Sequence, residues 1–175
     1  MRGVVYASEL EAVRAWGAEN LPKTGRDGLE RAALVLPLRT AEGAAYMLTR
    51  TRVGLHNNVI LPALGLAVHS LRYPAAALVH SHPYCSCHAG ELFSGNRDPV
   101  THRVTKLGDA AVPGLGHIRR IYAVTPSGSI LLYDGQGEIC APQAHLKGYV
   151  MDAQGNRLCM TRRGSSRFGI FPKGY

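Results

Sequence analysis

The tetrad His80-Ser81-His82-Pro83 carries the most chemistry in the sequence. Residues two apart on a strand project to the same side, so histidines at this spacing can bring both imidazoles to one ion. Neutral imidazole is a common zinc ligand, and a catalytic zinc takes three protein ligands plus a water. The pattern therefore asks for a third ligand, preferably a carboxylate. Ser94-Gly-Asn-Arg-Asp98 supplies a serine and then an aspartate at a helix start. Asp98 is favoured as the ligand for its closeness to Ser94 and its cap position, and Asp109 is the alternative. Hydrolysis at such an ion also needs a carboxylate base from another strand or helix end. Glu30, just before an apolar strand, is the candidate, with Glu42 as a substitute. A rival use of His80 and His82 is as the general acid and base of a nuclease.

A second cluster, Cys85-Ser86-Cys87-His88, is compact enough for two of its side chains to share an ion. It is read as a second metal site or a redox site, or as loop thiols of which one pairs with Cys140 or Cys159. Four cysteines in 175 residues are not the dense framework of a small secreted domain. His56, His69, His102, His117 and His145 stand alone and read as structural.

The elements that must position these groups follow from spacing. The histidine tetrad ends a buried strand over residues 75–80, and Glu30 precedes a strand over 32–38. That strand forms a hairpin with 44–50 across the turn at 42–43. Ser8 and Glu11 form a capping-box pattern, with Leu10, Val13 and Trp16 at helical spacing, so a first helix is expected over about 8–19. Residues 22–28 and 53–58 read as loops, and 59–73 fit either a strand or a buried helix. Residues 83–97 read as a long loop of the functional kind. Asp98-Pro99 then opens a helix through Val100, Val104 and Leu107 that stops at Pro113-Gly114. Strands follow at 118–124 and 129–133, and a last hairpin over 147–161 turns at 153–156. The order of elements predicts an α+β domain with a mixed β-sheet and flanking helices.

At 18.9 kDa the chain has room for one sizeable core, and with 46% apolar and 18% charged residues it is globular in composition. No run of eighteen apolar residues exists, so no membrane-spanning helix is expected. The N-terminus lacks a long apolar segment, so the expectation is a cytoplasmic protein, or one delivered by a secretion system without a signal peptide. The net charge is +8, and residues 141–175 hold Lys147, Arg157, Arg162, Arg163, Arg167 and Lys173 against the single acid Asp152. A basic C-terminus of this kind suits nucleic acid, an acidic partner, an anionic surface or simple solubility.

The order glutamate, apolar strand, His-x-His-Pro, serine and aspartate resembles the JAMM (JAB/MPN-type) zinc metalloproteases. Residues 30–37 are similar to the family's glutamate-plus-strand segment, residues 77–83 to its histidine strand, and residues 93–98 to its serine and aspartate. The hairpin at 121–128 resembles JAB-like domains of unknown function found in bacterial polymorphic toxins. The likeness spans about residues 28–134, so the chain reads as a single JAB-like domain over 1–175 with a basic C-terminal β extension over 135–175. The resemblance implies a cytidine-deaminase-like sandwich and Zn2+ held by His80, His82 and an aspartate. It implies that Ser94 donates a hydrogen bond to the tetrahedral oxyanion, and that Glu30 moves a proton from the attacking water to the leaving amine. Two spacings differ from the family pattern: the His82-to-Ser94 gap is longer, and the serine-to-aspartate interval has an extra residue. Asp109 lies thirteen residues before Tyr122, an interval that suits the family better than the twenty-four from Asp98.

The leading expectation is a zinc-dependent peptidase or isopeptidase acting on a protein or peptide, as a toxin or effector domain with an immunity protein as partner. Residues 151–157, similar to the repeat-associated shells of such toxins, fit that context. The alternatives are a nucleic-acid-targeting toxin or binding module using the basic C-terminus, and a catalytically inactive JAB-like scaffold.

Overall fold

The computed structural model of the chain describes residues 4–41, 43–56, 60–73, 76–83, 93–94, 96–97, 104–106, 108–134, 141–145, 158–160 and 168–170. A short strand β1 (Val5–Tyr6) leads into helix α1 (Glu9–Asp27). The capping box forms as the sequence predicts: Glu11 N–H donates to Ser8 Oγ at 3.2 Å, and Ser8 N–H donates to Glu11 Oε2 at 3.2 Å. The helix does not stop near residue 19. It runs through Pro22 to a left-handed cap at Gly28, whose N–H donates to Thr24 O at 2.8 Å. Trp16, Asn20 and Thr24 continue one buried stripe at i, i+4 and i+8, and this burial outweighs the backbone bond that Pro22 cannot make.

The main sheet has the order β1-β3-β2-β5-β8-β9-β10. Its members after β1 are β2 (Leu29–Thr40), β3 (Gly43–Leu48), β5 (Ala76–Ser81), β8 (Ile118–Val124), β9 (Ser129–Tyr133) and β10 (Ala141–His145). A further strand, β4 (Arg52–His56), pairs with the first part of β2, which β3 leaves free. Residues 53–58 were expected to form a loop. The edge position explains the weak signal, because Val53 and Leu55 face solvent and Gly54 interrupts the alternation. Among the described pairings of this sheet only β5–β8 is parallel, so the sheet is mixed and the chain is of the expected α+β class.

Helix α2 (Ile60–Ser70) settles the ambiguity at 59–73 in favour of helix. It packs Ala63, Leu66 and Ala67 against Ala32, Leu34, Leu36, Leu78, Ile121 and Ala123 on one face of the sheet. The opposite face carries Ala33, Val35, Ala77, Val79, Tyr122 and Val124, covered by Ala12, Val13, Trp16 and Leu21 of α1. Strands β2, β5 and β8 are thus covered on both sides, which is why they read as continuous apolar runs and not as alternating ones.

The helix expected from Asp98 onward is replaced over its described part by strand. Strand β6 (Asn96–Arg97) pairs antiparallel with β7 (Val104–Lys106), and among the described residues of this segment the helical geometry is a 3-10 turn at Asp109–Ala111. Val104 and Thr105 are β-branched and favour extended backbone. Gly108, at φ 152° and ψ −158°, holds a conformation that is essentially restricted to glycine and separates β7 from the turn. Of the expected last hairpin, residues 147–157 lie outside the described residues. Strand β11 (Leu158–Met160) pairs with β12 (Phe168–Ile170), a partner beyond the span expected. The expected turn at 153–156 lies outside the described residues. No helix among the described residues is long and apolar enough to cross a membrane.

Candidate metal centre

His80 lies on β5 between Ala32 of β2 and Ala123 of β8 and is fully buried. Alternation along β5 puts Leu78 and His80 on the α2 side of the sheet. His82 follows just past the strand end, anchored by its N–H to Val124 O at 3.0 Å. The two rings meet edge to face, 4.6 Å apart, and the Phe93 ring stacks against His80 at 6.2 Å. The chain thus folds the His-x-His spacing into the shared side that the sequence requires.

His80 Nδ1 lies 2.9 Å from Tyr122 O. A carbonyl only accepts, so Nδ1 carries the proton and the Nε2 lone pair points into the site. This is the outer-shell arrangement that orients metal-ligating histidines. His80 Nε2 and His82 Nε2 are 2.7 Å apart. Asp109, at the start of the 3-10 turn, closes the group with Oδ1 3.1 Å from His80 Nε2 and Oδ2 3.4 Å from His82 Nε2. One ligand atom from each of the three buried residues lies within 4.8 Å of the others. Zinc–ligand bonds of about 2.0–2.1 Å place neighbouring tetrahedral donors about 3.4 Å apart. The fixed tautomer, the convergent donors and the one carboxylate fit a divalent ion. Burial pushes the Asp109 carboxyl up. When the two rings are protonated, the charge on His80 and hydrogen bonds from both histidines outweigh that effect and hold the carboxyl well below the usual carboxylate range, so it is an anion.

Ser94 sits beside this aspartate. Its N–H and its hydroxyl both donate to Asp109 Oδ2 at 2.7 Å, and Asp109 N–H donates back to Ser94 Oγ at 3.0 Å. Ala110 N–H donates to Ser94 O at 3.0 Å. The β6–β7 ladder lies between Ser94 and Asp109 in sequence and returns the chain to its start, so a serine and an aspartate fifteen residues apart meet. Of the two aspartates that the sequence offers, Asp109 meets Ser94 here, while Asp98 lies outside the described residues.

Glu30 is buried on β2. The β2–β5 register pairs Ala32 with His80 and Arg31 with Ser81, so Glu30 stands one residue before the paired stretch, as His82 stands one residue after it. Strand alternation from Ala32 and Leu34, which lie on the α2 face, would give Glu30 that same face. Asp98, Cys85, Cys87, His88 and Glu42 lie outside the described residues, as do Lys147, Arg157, Arg162, Arg163, Arg167 and Lys173 of the basic C-terminus.

A polar network that the sequence did not reveal holds the strand ends from the other face. Ser81, between the two histidines, points away from them and shares a hydrogen bond with Thr24 of α1 at 2.6 Å. Arg31 N–H donates to Ser81 Oγ at 3.3 Å, and its guanidinium reaches Thr24 Oγ1, Leu29 O and both carboxylate oxygens of Asp27. The neighbours of Glu30, His80 and His82 are therefore tied together behind the site. The clue was available only as Thr24, Asp27 and Arg31 at near-helical intervals, across a boundary at Gly28 that hides their common side.

No family model, curated protein or solved structure matches the chain.

Proposed function

We propose that the chain is a zinc-dependent hydrolase of peptide or isopeptide bonds, with a JAMM-like site on a JAB-like variant of its α+β fold. The observation that carries this reading is the convergence of His80, His82 and Asp109 at the C-terminal ends of the parallel strands β5 and β8. Crevices at such strand ends are where open sheets place their ligands. A mixed sheet with a helix on each face, and Glu30 on the strand beside the histidines, supports the same assignment.

His80, His82 and Asp109 would hold the ion. Bound there, zinc supplies Lewis acidity toward a carbonyl and lowers the pKa of water toward about 7. Glu30 takes the proton of the attacking water on its carboxylate and delivers it to the nitrogen of the leaving amine. Tyr122 O keeps the His80 proton on Nδ1 throughout, so the ring stays oriented. Phe93 and the apolar α2 face exclude water from the inner side of the histidines.

The test is elemental analysis of the purified chain beside the H80A/H82A double variant, followed by peptide hydrolysis with and without a chelator. About one zinc per chain, absent from the double variant, together with chelator-sensitive hydrolysis, is expected. A chain that takes up no zinc on reconstitution overturns the reading. Glu30→Gln is expected to keep the metal and lose hydrolysis.

A further inference from the structure

The resemblance gives Ser94 a hydrogen bond to the reacting oxygen. The geometry points to another role: we propose that Ser94 is a positioning residue, which sets the orientation of the Asp109 carboxylate as a metal ligand. This rests on the metal-site reading above and extends it from the ligands to the group that aims one of them.

Four hydrogen bonds join the two segments. The Ser94 hydroxyl hydrogen is directed at Asp109 Oδ2 at 2.7 Å, and the Ser94 N–H reaches the same oxygen at 2.7 Å. The hydroxyl oxygen accepts the Asp109 N–H at 3.0 Å, and Ala110 N–H closes onto Ser94 O at 3.0 Å. A serine hydroxyl has one proton to give. While that proton is held by Asp109 it is not offered to a substrate. The bracket is also asymmetric, since both Ser94 donors go to Oδ2. The other oxygen, Oδ1, is the one nearer His80 Nε2, at 3.1 Å. Ser94 therefore fixes the rotation of the carboxylate and leaves Oδ1 as its best-placed donor.

Asp109 needs such support. It belongs to a turn of three residues that follows Gly108, and not to a long helix or a central strand. The histidines are held by β5 and its neighbours, whereas this ligand is held by a short segment and by Ser94. Outer-shell partners of metal ligands are worth about 10–100-fold in metal affinity.

The experiment measures Zn2+ affinity by competition with a chromophoric chelator, using the full chain and Ser94→Ala, Ser94→Cys and Ser94→Thr. Folding is checked by circular dichroism, and the visible absorption of the Co2+-loaded chains is recorded. Ser94 is exposed, so the methyl of threonine has room. Ser94→Ala is expected to weaken Zn2+ binding about 10–100-fold and to change the Co2+ spectrum. Ser94→Thr, which keeps the hydroxyl, is expected to stay within about threefold of wild type. Ser94→Cys carries only a weak donor and should fall with alanine; it provides the reading if the alanine variant does not fold. Wild-type Zn2+ affinity in both hydroxyl-free variants, with hydrolysis lost, would overturn the inference and return Ser94 to the reacting oxygen while leaving the metal site standing. A wild-type chain that binds neither Zn2+ nor Co2+ would overturn both readings together.

Discussion

Thr24 and Ser81 meet hydroxyl to hydroxyl at 2.6 Å on the side of the sheet away from His80 and His82. Ser81 lies between the two histidines in sequence, so this contact joins helix α1 to the backbone that aims both rings. Arg31 adds its N–H to the same hydroxyl, which brings in the strand carrying Glu30. Glu30, His80 and His82 thus have neighbours that share one buried polar tie.

Ser81→Ala removes the acceptor of Arg31 N–H and the partner of Thr24, both buried. Leaving such groups unmatched costs about 1–3 kcal/mol, which lowers Tm by a few degrees in a chain of this size. Zn2+ affinity should fall with it, because the strand end loosens. Calorimetry and chelator competition on the same preparation check both. A lowered Tm with unchanged affinity would mean that the tie serves stability alone.

Asp109 and Asp98 make opposite predictions. Asp109→Asn removes the anionic ligand and is expected to lower Zn2+ affinity at least 100-fold. Asp98→Asn is expected to leave it within a few-fold. The reverse result would transfer the third ligand to the position favoured by its closeness to Ser94.

Tyr122 separates the two faces of the sheet. Its carbonyl serves His80, while its hydroxyl donates to Glu9 Oε1 at 2.7 Å under α1. Burial, and then the bond to Glu9, push the phenol pKa up, so it remains a donor at all ordinary pH values. Tyr122→Phe leaves the buried Glu9 carboxylate one donor short and is expected to cost about 1–3 kcal/mol. Zn2+ stoichiometry should be unchanged, since the carbonyl is retained. Urea unfolding and elemental analysis read the two halves of this expectation.

Asp27 gives the pH dependence. Its hydrogen bond to Arg31 is opposed by burial, with help from Leu29 N–H and the Arg31 charge, and the carboxyl is held down to about 2, against 3.8 for the free group. A carboxyl depressed on folding stabilises the fold above its unfolded pKa and loses that contribution as pH falls through the folded one. The contribution is complete above about pH 4 and declines toward pH 2. Asp27 is 40% exposed, so solvent screening keeps the effect below about 1 kcal/mol. Asp27→Asn should flatten the stability profile between pH 4 and 2. A slope unchanged by the substitution would assign acid sensitivity to other groups.

The site was legible where its parts were local. His80 and His82 are two apart on one strand, and strand periodicity suffices to bring them together. The capping box at Ser8 and Glu11, and the hairpin of β8 and β9, were equally local. What failed was non-local or overridden by burial. Helix α1 passes through Pro22 because Leu21, just before it, and Thr24, just beyond it, are both buried. Strand β4 is an edge whose apolar residues face water. The meeting of Ser94 with Asp109 depends on β6 and β7, whose few residues carry no periodicity. The partners Thr24 and Ser81 are 57 residues apart, and nothing in either neighbourhood names the other.

The parallel pairing of β5 with β8 also bears on how the chain folds. Each hairpin can close over a short loop, but β8 reaches β5 only after the crossover from His82 to His117 has been gathered in. Contacts of that range close late, because loop entropy is lost before any contact compensates for it. His80 and His82 lie on one side of that event, while Ser94 and Asp109 belong to the crossover itself. His80, His82 and Asp109 are therefore expected to come together late in folding, and an ion gripping His80 and Asp109 would close a loop of 29 residues, a constraint on the unfolded chain worth on the order of 3–4 kcal/mol by analogy with a cross-link. Metal uptake would thus report completion of the crossover, while Trp16, packed under α1 on the opposite face, reports the other half of the core.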